Sequence, residues 1–251
     1  MAKHPAISSL SKTGKVNLML YGVPGVGKTT LIGEGKNTLI VRPPTDHVDA
    51  IRETSEAEEW IVSTWDEMDE VEEFARHNPK EFAWIWLDSI SLLQDHLLED
   101  IMAAVEAAKP HRRNGPIDQG EYASNFNRIK KWTRHIVGIP GFNFGMTAHP
   151  MEVFNPSTGE TKAGPWVQGK NMSFTMCGYF NAVAYMEKVK QGERYRRVLR
   201  FEETEEYIAK DQKIFNFPKF RLADPTMAKL EAALPKPTAA RRRITRRKVS
   251  R

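Results

Sequence analysis

A glycine-rich segment early in the chain constrains its fold more than any other feature. Residues 22–29 follow the pattern G-x-x-x-x-G-K-[ST], whose glycines let successive backbone N–H groups turn inward toward phosphate oxygens. An apolar stretch of strand length, 15–21, precedes the segment, and residues 29–32 after it suit the start of a helix. This context predicts a phosphate-binding loop; the alternative is an ordinary glycine-rich turn beside a lysine.

The polar residues that end this pattern indicate what the loop binds. Lys28 is a point charge that can reach the β- and γ-phosphates of a nucleotide, and Thr29 offers a hydroxyl ligand for Mg²⁺. We therefore predict ATP and Mg²⁺ as cofactors and assign Lys28 a catalytic role as well. The predicted nucleotide-binding residues are Gly22, Val23, Pro24, Gly25, Val26, Gly27, Lys28, Thr29 and Thr30.

An acidic residue at the end of a second apolar run is the predicted metal partner of this loop. Residues 82–87 are continuously apolar, as is typical of a parallel strand buried on both faces, and Asp88 follows directly. A carboxylate in that place can hold Mg²⁺, directly or through water, opposite the threonine of the loop. The predicted metal ligands are thus Thr29 and Asp88, while Ser89 either assists the metal or simply starts the next turn.

Hydrolysis also needs a group that orients or deprotonates water, and the sequence defines it poorly. After the apolar run 38–41, where an acidic residue is expected, the chain has Pro43 and Pro44. Asp46 is the nearest carboxylate and is our predicted base, with Asp49 next in line. Either acid can equally be an ordinary turn residue.

Two polar residues end a further apolar run at 142–149. They are Thr147 and His149. Because the carboxyl ends of parallel strands line the ligand crevice, a polar side chain there can contact the γ-phosphate or the attacking water. We predict a catalytic role for His149; the alternative is a histidine with satisfied hydrogen bonds in the core or a loop.

The alternation of apolar strands with helical stretches predicts the fold class. It favours an α/β domain with a mostly parallel central sheet flanked by helices. The predicted domain spans 15–234, after a polar lead-in at 1–14 and before a basic, flexible tail at 235–251. Further predicted elements are a strand at 60–64, helices at 66–75, 91–108 and 119–137, a long loop at 150–170, a hairpin formed by 179–189 and 194–201, and a helix at 225–234 capped by Asp224.

Composition bounds the class of protein. At 251 residues the chain suits one large domain or one domain with additions. It has no apolar run of about 18 residues and no apolar segment near the start that resembles a signal peptide, so we expect neither a membrane span nor export. Its one cysteine, Cys177, lies in an apolar run and is expected in the core, and a reducing cytoplasm is the natural compartment.

Positive charge is concentrated at the end of the chain. The net charge is +5, yet residues 236–251 contain eight Lys and Arg residues and no acidic residue, so the rest of the chain is slightly acidic. A short basic arm is typical of a contact to nucleic acid, although it can also serve only solubility. The predicted contacts of the tail with DNA are Arg241, Arg242, Arg243, Arg246, Arg247 and Lys248.

These motifs, in this order, resemble the RecA-like ATPase core. More narrowly, the chain is similar to the phage-encoded, single-domain RecA relatives grouped with the Sak-type single-strand annealing proteins. The matching segments are 22–29, 86–89 and 146–149, together with 207–211, which resembles the late strand where such proteins carry a lysine. The resemblance covers about residues 14–234.

The resemblance implies an oligomer and a DNA-binding surface. The nucleotide would lie between subunits of a ring or filament, with Lys210 reaching the γ-phosphate of the neighbouring subunit; the alternative is a surface lysine. Gln212 stands where relatives often have arginine. Loops near 109–120 and 150–170 would face single-stranded DNA, with basic groups on phosphates and aromatic rings on bases. The residues concerned are Arg112, Arg113, Phe154, Lys162, Trp166 and Lys170.

Three functions are therefore compared. The leading one is an ATP-dependent, single-stranded DNA-binding protein of phage recombination or replication that promotes annealing or strand pairing in the cytoplasm of a bacterial host. The second is a hexameric RecA-like or DnaB-like helicase, for which the chain shows no added helicase or primase-binding domain. The third is a nucleotide-gated scaffold or loader that binds other replication or recombination proteins.

Overall fold

The computed structural model describes residues 15–113, 115–155, 158–169 and 171–235. Its strands are β1 (Asn17–Tyr21), β2 (Thr38–Arg42), β3 (Glu58–Ile61), β4 (Trp84–Leu87), β5 (Asn143–Ala148), β6 (Pro150–Asn155), β7 (Glu160–Pro165), β8 (Ala182–Gln191), β9 (Arg194–Arg200), β10 (Lys210–Asp211) and β11 (Arg221–Ala223). Its helices are α1 (Lys28–Gly33), α2 (Trp65–His77), α3 (Ile90–Ala108), α4 (Gln119–Gly138), α5 (Met172–Tyr179) and α6 (Met227–Ala232).

A large central sheet organises the described residues. Its strands lie in the order β11-β9-β8-β1-β5-β4-β2-β3, and β10 pairs with β8. The strands from β8 to β3 in this order are all parallel, whereas β9, β10 and β11 pair antiparallel. The predicted α/β fold with a mostly parallel sheet is therefore confirmed, as is the hairpin late in the chain.

Helices cover both faces of the sheet, which explains why its central strands are continuously apolar. Helices α2, α3, α4 and α5 pack on one face, while α1 and α6 pack on the other. Cys177 of α5 is buried on the face of the sheet that α2 to α5 cover, as predicted, and burial raises the pKa of its thiol to about 12. Trp84 and Trp86 lie on the opposite face, under α1 and α6, and their rings stack with centroids 5.2 Å apart.

The predicted long loop at 150–170 is wrong, because most of it forms an antiparallel hairpin. Strands β6 and β7 pair from Pro150 opposite Pro165 to Asn155 opposite Glu160. Alternation in the sequence is weak because Val153 is buried in β6 while the apolar Phe154 beside it is 58% exposed. The strand signal therefore depends on backbone pairing that composition does not reveal.

Two local predictions are also corrected. Asp224 does not cap the last helix: Thr226 does, and its hydroxyl accepts a hydrogen bond from the backbone N–H of Lys229 at 3.2 Å. Thr is itself a favourable cap, and Pro225 separates Asp224 from the helix. The predicted strand at 60–64 lies earlier, at Glu58–Ile61, because Thr64 instead caps α2 in a capping box with Glu67.

Several predicted regions lie outside the described residues, namely 1–14, Lys170 and 236–251. In the part of the chain that the structure describes, no helix is long and apolar enough to cross a membrane.

Candidate nucleotide-binding site

The loop between β1 and α1 has the backbone shape that the sequence predicts. Gly27 directly precedes α1 with φ of 106°, a conformation that side chains with a Cβ atom rarely adopt. Gly22 is constrained by space instead, since a Cβ atom there would lie 2.3 Å from the carbonyl oxygen of Met186. The glycines thus let the loop turn tightly against β8. This segment contains all the predicted nucleotide-binding residues, from Gly22 to Thr30.

Lys28 lies inside this loop with its ammonium group directed at the loop backbone. Its Nζ donates to the carbonyl oxygens of Gly22 at 2.8 Å and Val23 at 3.3 Å, and the residue is 6% exposed. Burial lowers the pKa of Lys28, and the charges of Asp88 and Asp46 act in the opposite direction. The ammonium is therefore held where a phosphate chain in the loop would meet it.

Asp88 joins the loop to two strands of the sheet. Its carboxylate accepts hydrogen bonds from the hydroxyl of Thr29 at 2.7 Å and from the hydroxyl of Thr147 at the end of β5. The residue is 3% exposed. Burial raises the pKa of Asp88, and the hydrogen bonds from both threonines oppose that effect. The structure thus brings together the two predicted metal ligands and shows that Thr147 supports one of them.

Asp46 lies next to this carboxylate in space, although 42 positions separate the two in the chain. Its Oδ2 accepts hydrogen bonds from the backbone N–H of Ser89 at 2.7 Å and from the Ser89 hydroxyl at 3.0 Å. The predicted base, Asp46, therefore lies at the end of β4, and its role as a base stays a prediction. Its carboxylate holds the segment that follows Asp88 and faces the same site as Lys28.

Arg42 positions the Asp46 segment, a role that the sequence motifs did not predict. Its guanidinium donates to the carbonyl oxygens of Asp46 at 2.8 Å and Pro43 at 3.2 Å, and it pairs with Glu59 at 2.7 Å. Arg42 is 5% exposed. An arginine that ends an otherwise apolar strand is a signal that could have found it, since buried cations require partners.

His149 connects the nucleotide site with the β6–β7 hairpin. Its backbone N–H donates to the hydroxyl of Ser91 at 2.9 Å, and its carbonyl oxygen accepts from the N–H of Trp166 at 2.7 Å. The Ser91 hydroxyl in turn donates to the Trp166 carbonyl oxygen at 2.8 Å. Burial lowers the pKa of His149, the charge of Lys28 lowers it further, and Asp46 opposes both. His149 is therefore near both charged groups.

Lys210 lies on the short strand β10, opposite Val183 of β8. It is half-buried, and burial lowers the pKa of its ammonium group. Asp211 beside it accepts hydrogen bonds from the backbone of the turn that follows, including Ile214 at 2.6 Å. The proposed role of Lys210 concerns a neighbouring subunit and stays a prediction.

The residues predicted to bind DNA fall into different settings. Arg112 pairs with Asp118 and, at 3.0 Å, with Glu121; Lys162 pairs with Glu203 at 3.1 Å and Glu160 at 3.4 Å. Trp166 is partly buried at the base of the hairpin, whereas Arg113 and Phe154 are exposed. Lys170 and the six basic residues of the tail lie outside the described residues.

The side chains that could coordinate a metal at this site suit Mg²⁺ bound together with a nucleoside triphosphate. A threonine hydroxyl and a carboxylate are the hard oxygen ligands that Mg²⁺ accepts, and it usually completes its shell with waters and phosphate oxygens. Two ligands from the protein suffice in such sites. Accordingly, among the described residues no group of three or more His, Cys, Asp or Glu side chains could hold a metal by itself.

Comparison with protein families agrees with this geometry. The family profile AAA_24, described as an AAA domain, matches residues 14–212. The chain belongs to this family. The AAA_24 chain is thus a P-loop ATPase domain, and its match covers the phosphate-binding loop, Asp88 and His149.

Other comparisons of this AAA_24 chain are more distant. No curated protein matches its sequence. Among solved structures, its fold resembles a KaiC-like protein from the hyperthermophilic archaeon Pyrococcus horikoshii, with 12% sequence identity and a TM-score of 0.44. That alignment covers 75% of this chain and 79% of the archaeal chain.

Proposed function

We propose that this AAA_24 protein binds and hydrolyses ATP with Mg²⁺ and uses the nucleotide to control its binding to single-stranded DNA. Its role would lie in phage recombination or replication, in annealing or strand pairing. The observation that carries the nucleotide part is the hydrogen bonding of one buried carboxylate, Asp88, to Thr29 of the phosphate-binding loop and Thr147 of β5.

Each residue has a role that follows from its position. Thr29 and Asp88 would hold Mg²⁺, which neutralises charge on the phosphate oxygens, and Lys28 would contact the β- and γ-phosphates. Asp46 accepts a hydrogen bond from the backbone N–H of Ser89, and its carboxylate would orient the attacking water. His149 is kept neutral near pH 7 by its lowered pKa, so it can accept or donate a hydrogen bond beside Lys28.

Coupling to DNA is supported by how the β6–β7 hairpin is attached. The hairpin starts directly after His149 and returns to it through the hydrogen bond from Trp166. Gln94 of α3 also accepts a hydrogen bond from the backbone N–H of Gln168 at 2.7 Å. A ligand that moves the hairpin would therefore act on a residue of the nucleotide site. Phe154 on β6 offers an exposed ring on which a base can stack.

Lys210 completes the proposal as a residue that acts between subunits. A ring or filament would place it near the γ-phosphate of the neighbouring protomer. Partial burial lowers the pKa of its ammonium group and has already removed part of its hydration, so less would remain to be lost when it meets a phosphate.

The rate of ATP hydrolysis with and without single-stranded DNA tests this function. We expect DNA to stimulate the wild-type rate, and we expect Phe154→Ala to reduce the stimulation while basal turnover persists. Phe220→Ala, which removes another exposed aromatic ring, is the matched control. A rate of ATP hydrolysis that does not change when DNA is added would contradict the coupling. Unwinding of a forked duplex would favour a helicase.

A second candidate function is a nucleotide-controlled switch that binds a protein partner. The ion pairs of Arg112 and Lys162 favour it, because both cations are already neutralised by neighbouring acids. Normal ATP turnover combined with no affinity for single-stranded DNA would support this alternative over the first.

A further inference from the structure

Two basic side chains of the β8–β9 hairpin lie against the phosphate-binding loop. Nζ of Lys188 donates a hydrogen bond to the carbonyl oxygen of Gly25 at 3.0 Å. Arg197 covers the next part of the loop, since a Cβ atom on Gly27 would lie 3.0 Å from its Nη1. Neither residue belongs to the glycine-rich motif or to the site residues predicted from the sequence.

These two residues form a like-charged pair on one face of the hairpin. Lys188 of β8 lies directly opposite Arg197 of β9 in the antiparallel register. Like charges in directly opposed positions destabilise a sheet unless an anion lies nearby. In the described part of the chain neither side chain pairs with an acid, whereas Arg196 pairs with Asp224 and Arg200 with Glu187. The pair is therefore available to bind a negatively charged group.

The topology indicates which part of a nucleotide would meet this pair. Strands β5 and β4 lie on one side of β1, and β8 lies on the other. Asp88 follows β4 and accepts a hydrogen bond from Thr29, so Mg²⁺ and the β- and γ-phosphates would lie on the β4 side. The α-phosphate and nucleoside would then extend toward β8, across Gly25 and Gly27.

We propose that Lys188 and Arg197 bind the α-phosphate and nucleoside end of the nucleotide and so form the outer wall of the site. The proposal rests on the nucleotide binding proposed above and adds binding residues to that site. Arg197 would donate to the α-phosphate, because a guanidinium can pair with two phosphate oxygens at once. Lys188, held to the Gly25 carbonyl oxygen, would line the space beside the ribose with its aliphatic stem.

Titrations with a fluorescent ATP analogue, competed with unlabelled ATP and with pyrophosphate in the presence of Mg²⁺, test this proposal. Pyrophosphate lacks the α-phosphate and nucleoside, so it reports on the loop alone. We expect Lys188→Gln and Arg197→Gln each to lower the affinity for ATP about tenfold and to leave the affinity for pyrophosphate unchanged. Arg197→Lys, which keeps the charge but loses the two-point contact, should weaken ATP binding less than Arg197→Gln does. Arg194→Gln, at the exposed start of β9, is the matched control and should bind as the wild type does.

The outcomes separate this proposal from the function on which it rests. If the wild type binds ATP and both glutamine variants bind it equally well, only the present proposal is overturned. If the affinities of the variants for pyrophosphate and for ATP fall by the same factor, the residues maintain the shape of the loop and the proposal is also wrong. A wild type that binds neither ligand, with a cooperative thermal transition showing that it is folded, would overturn both.

Discussion

The Thr29 hydroxyl donates a hydrogen bond to the Asp88 carboxylate at 2.7 Å, across 59 positions of the chain. This contact joins the phosphate-binding loop to the end of β4 and locates the metal side of the candidate site. The position of every other site residue can be described relative to it: Lys28 in the loop, Asp46 behind Ser89, and His149 after β5.

Lys28→Ala should abolish ATP binding, because it removes the cation that lies inside the loop. The expected result is no measurable saturation by ATP in equilibrium titration, with cooperative thermal unfolding retained. Lys36→Ala, an exposed lysine shortly after α1, is the matched control and should bind normally. Full turnover in the Lys28 variant would remove the central assignment of the site.

Asp88→Asn should impair the use of Mg²⁺ by the site without removing the residues that bind the nucleotide. The amide keeps the shape of the side chain and can still bond to the two threonine hydroxyls, but it loses the charge that attracts Mg²⁺. We expect turnover to fall by at least about a hundredfold. The measurement is the rate of phosphate release against Mg²⁺ concentration. Asp49→Asn, which changes an exposed acid, should behave like the wild type; an equal loss there would argue for a general charge effect.

Arg42→Met should destabilise the fold by about 2–4 kcal/mol, because it leaves the carbonyl oxygen of Asp46 without this donor and the carboxylate of Glu59 without its cationic partner. Urea unfolding followed by circular dichroism measures this loss. The control is Arg52→Met, whose exposed pair with Asp49 should be worth no more than about 1 kcal/mol. Equal effects would mean that Arg42 does not anchor the segment.

His149 should make stability depend on pH in the mildly acidic range. Burial lowers the pKa of His149 below its ordinary value of 6.5, so the unfolded chain takes up a proton more readily than the folded chain. Its contribution is therefore complete above about pH 6.5 and is lost as the pH falls through the folded pKa. The measurement is the free energy of unfolding between pH 7.5 and about pH 5, for the wild type and for His149→Gln. A constant difference between the two curves would contradict the assignment.

Deletion of residues 236–251 should weaken the proposed DNA binding and flatten its dependence on salt. The deletion removes eight positive charges, and the slope of log affinity against log salt becomes less negative as the protein neutralises fewer phosphates. Fluorescence anisotropy with a labelled oligonucleotide at several salt concentrations measures both quantities. An unchanged slope would show that the tail does not bind DNA.

The sequence alone determined the parts of this protein that depend on neighbours along the chain. The glycine-rich loop, its lysine and threonine, and Asp88 at the end of an apolar run were all predicted, because each signal lies within about ten residues. The α/β fold followed from the alternation of strands and helices, since parallel strands buried on both faces are continuously apolar. The late hairpin followed from two runs separated by a short turn.

Only the tertiary structure decided which distant residues meet at the site. Arg42 anchors the Asp46 segment, Thr147 bonds to Asp88, and Lys188 reaches Gly25 across 163 positions of the chain. The β6–β7 hairpin was missed for a related reason, because its strands are held mainly by backbone pairing and have little apolar alternation. Such contacts depend on strand order and register. These bring together side chains whose local sequence does not predict that they will meet.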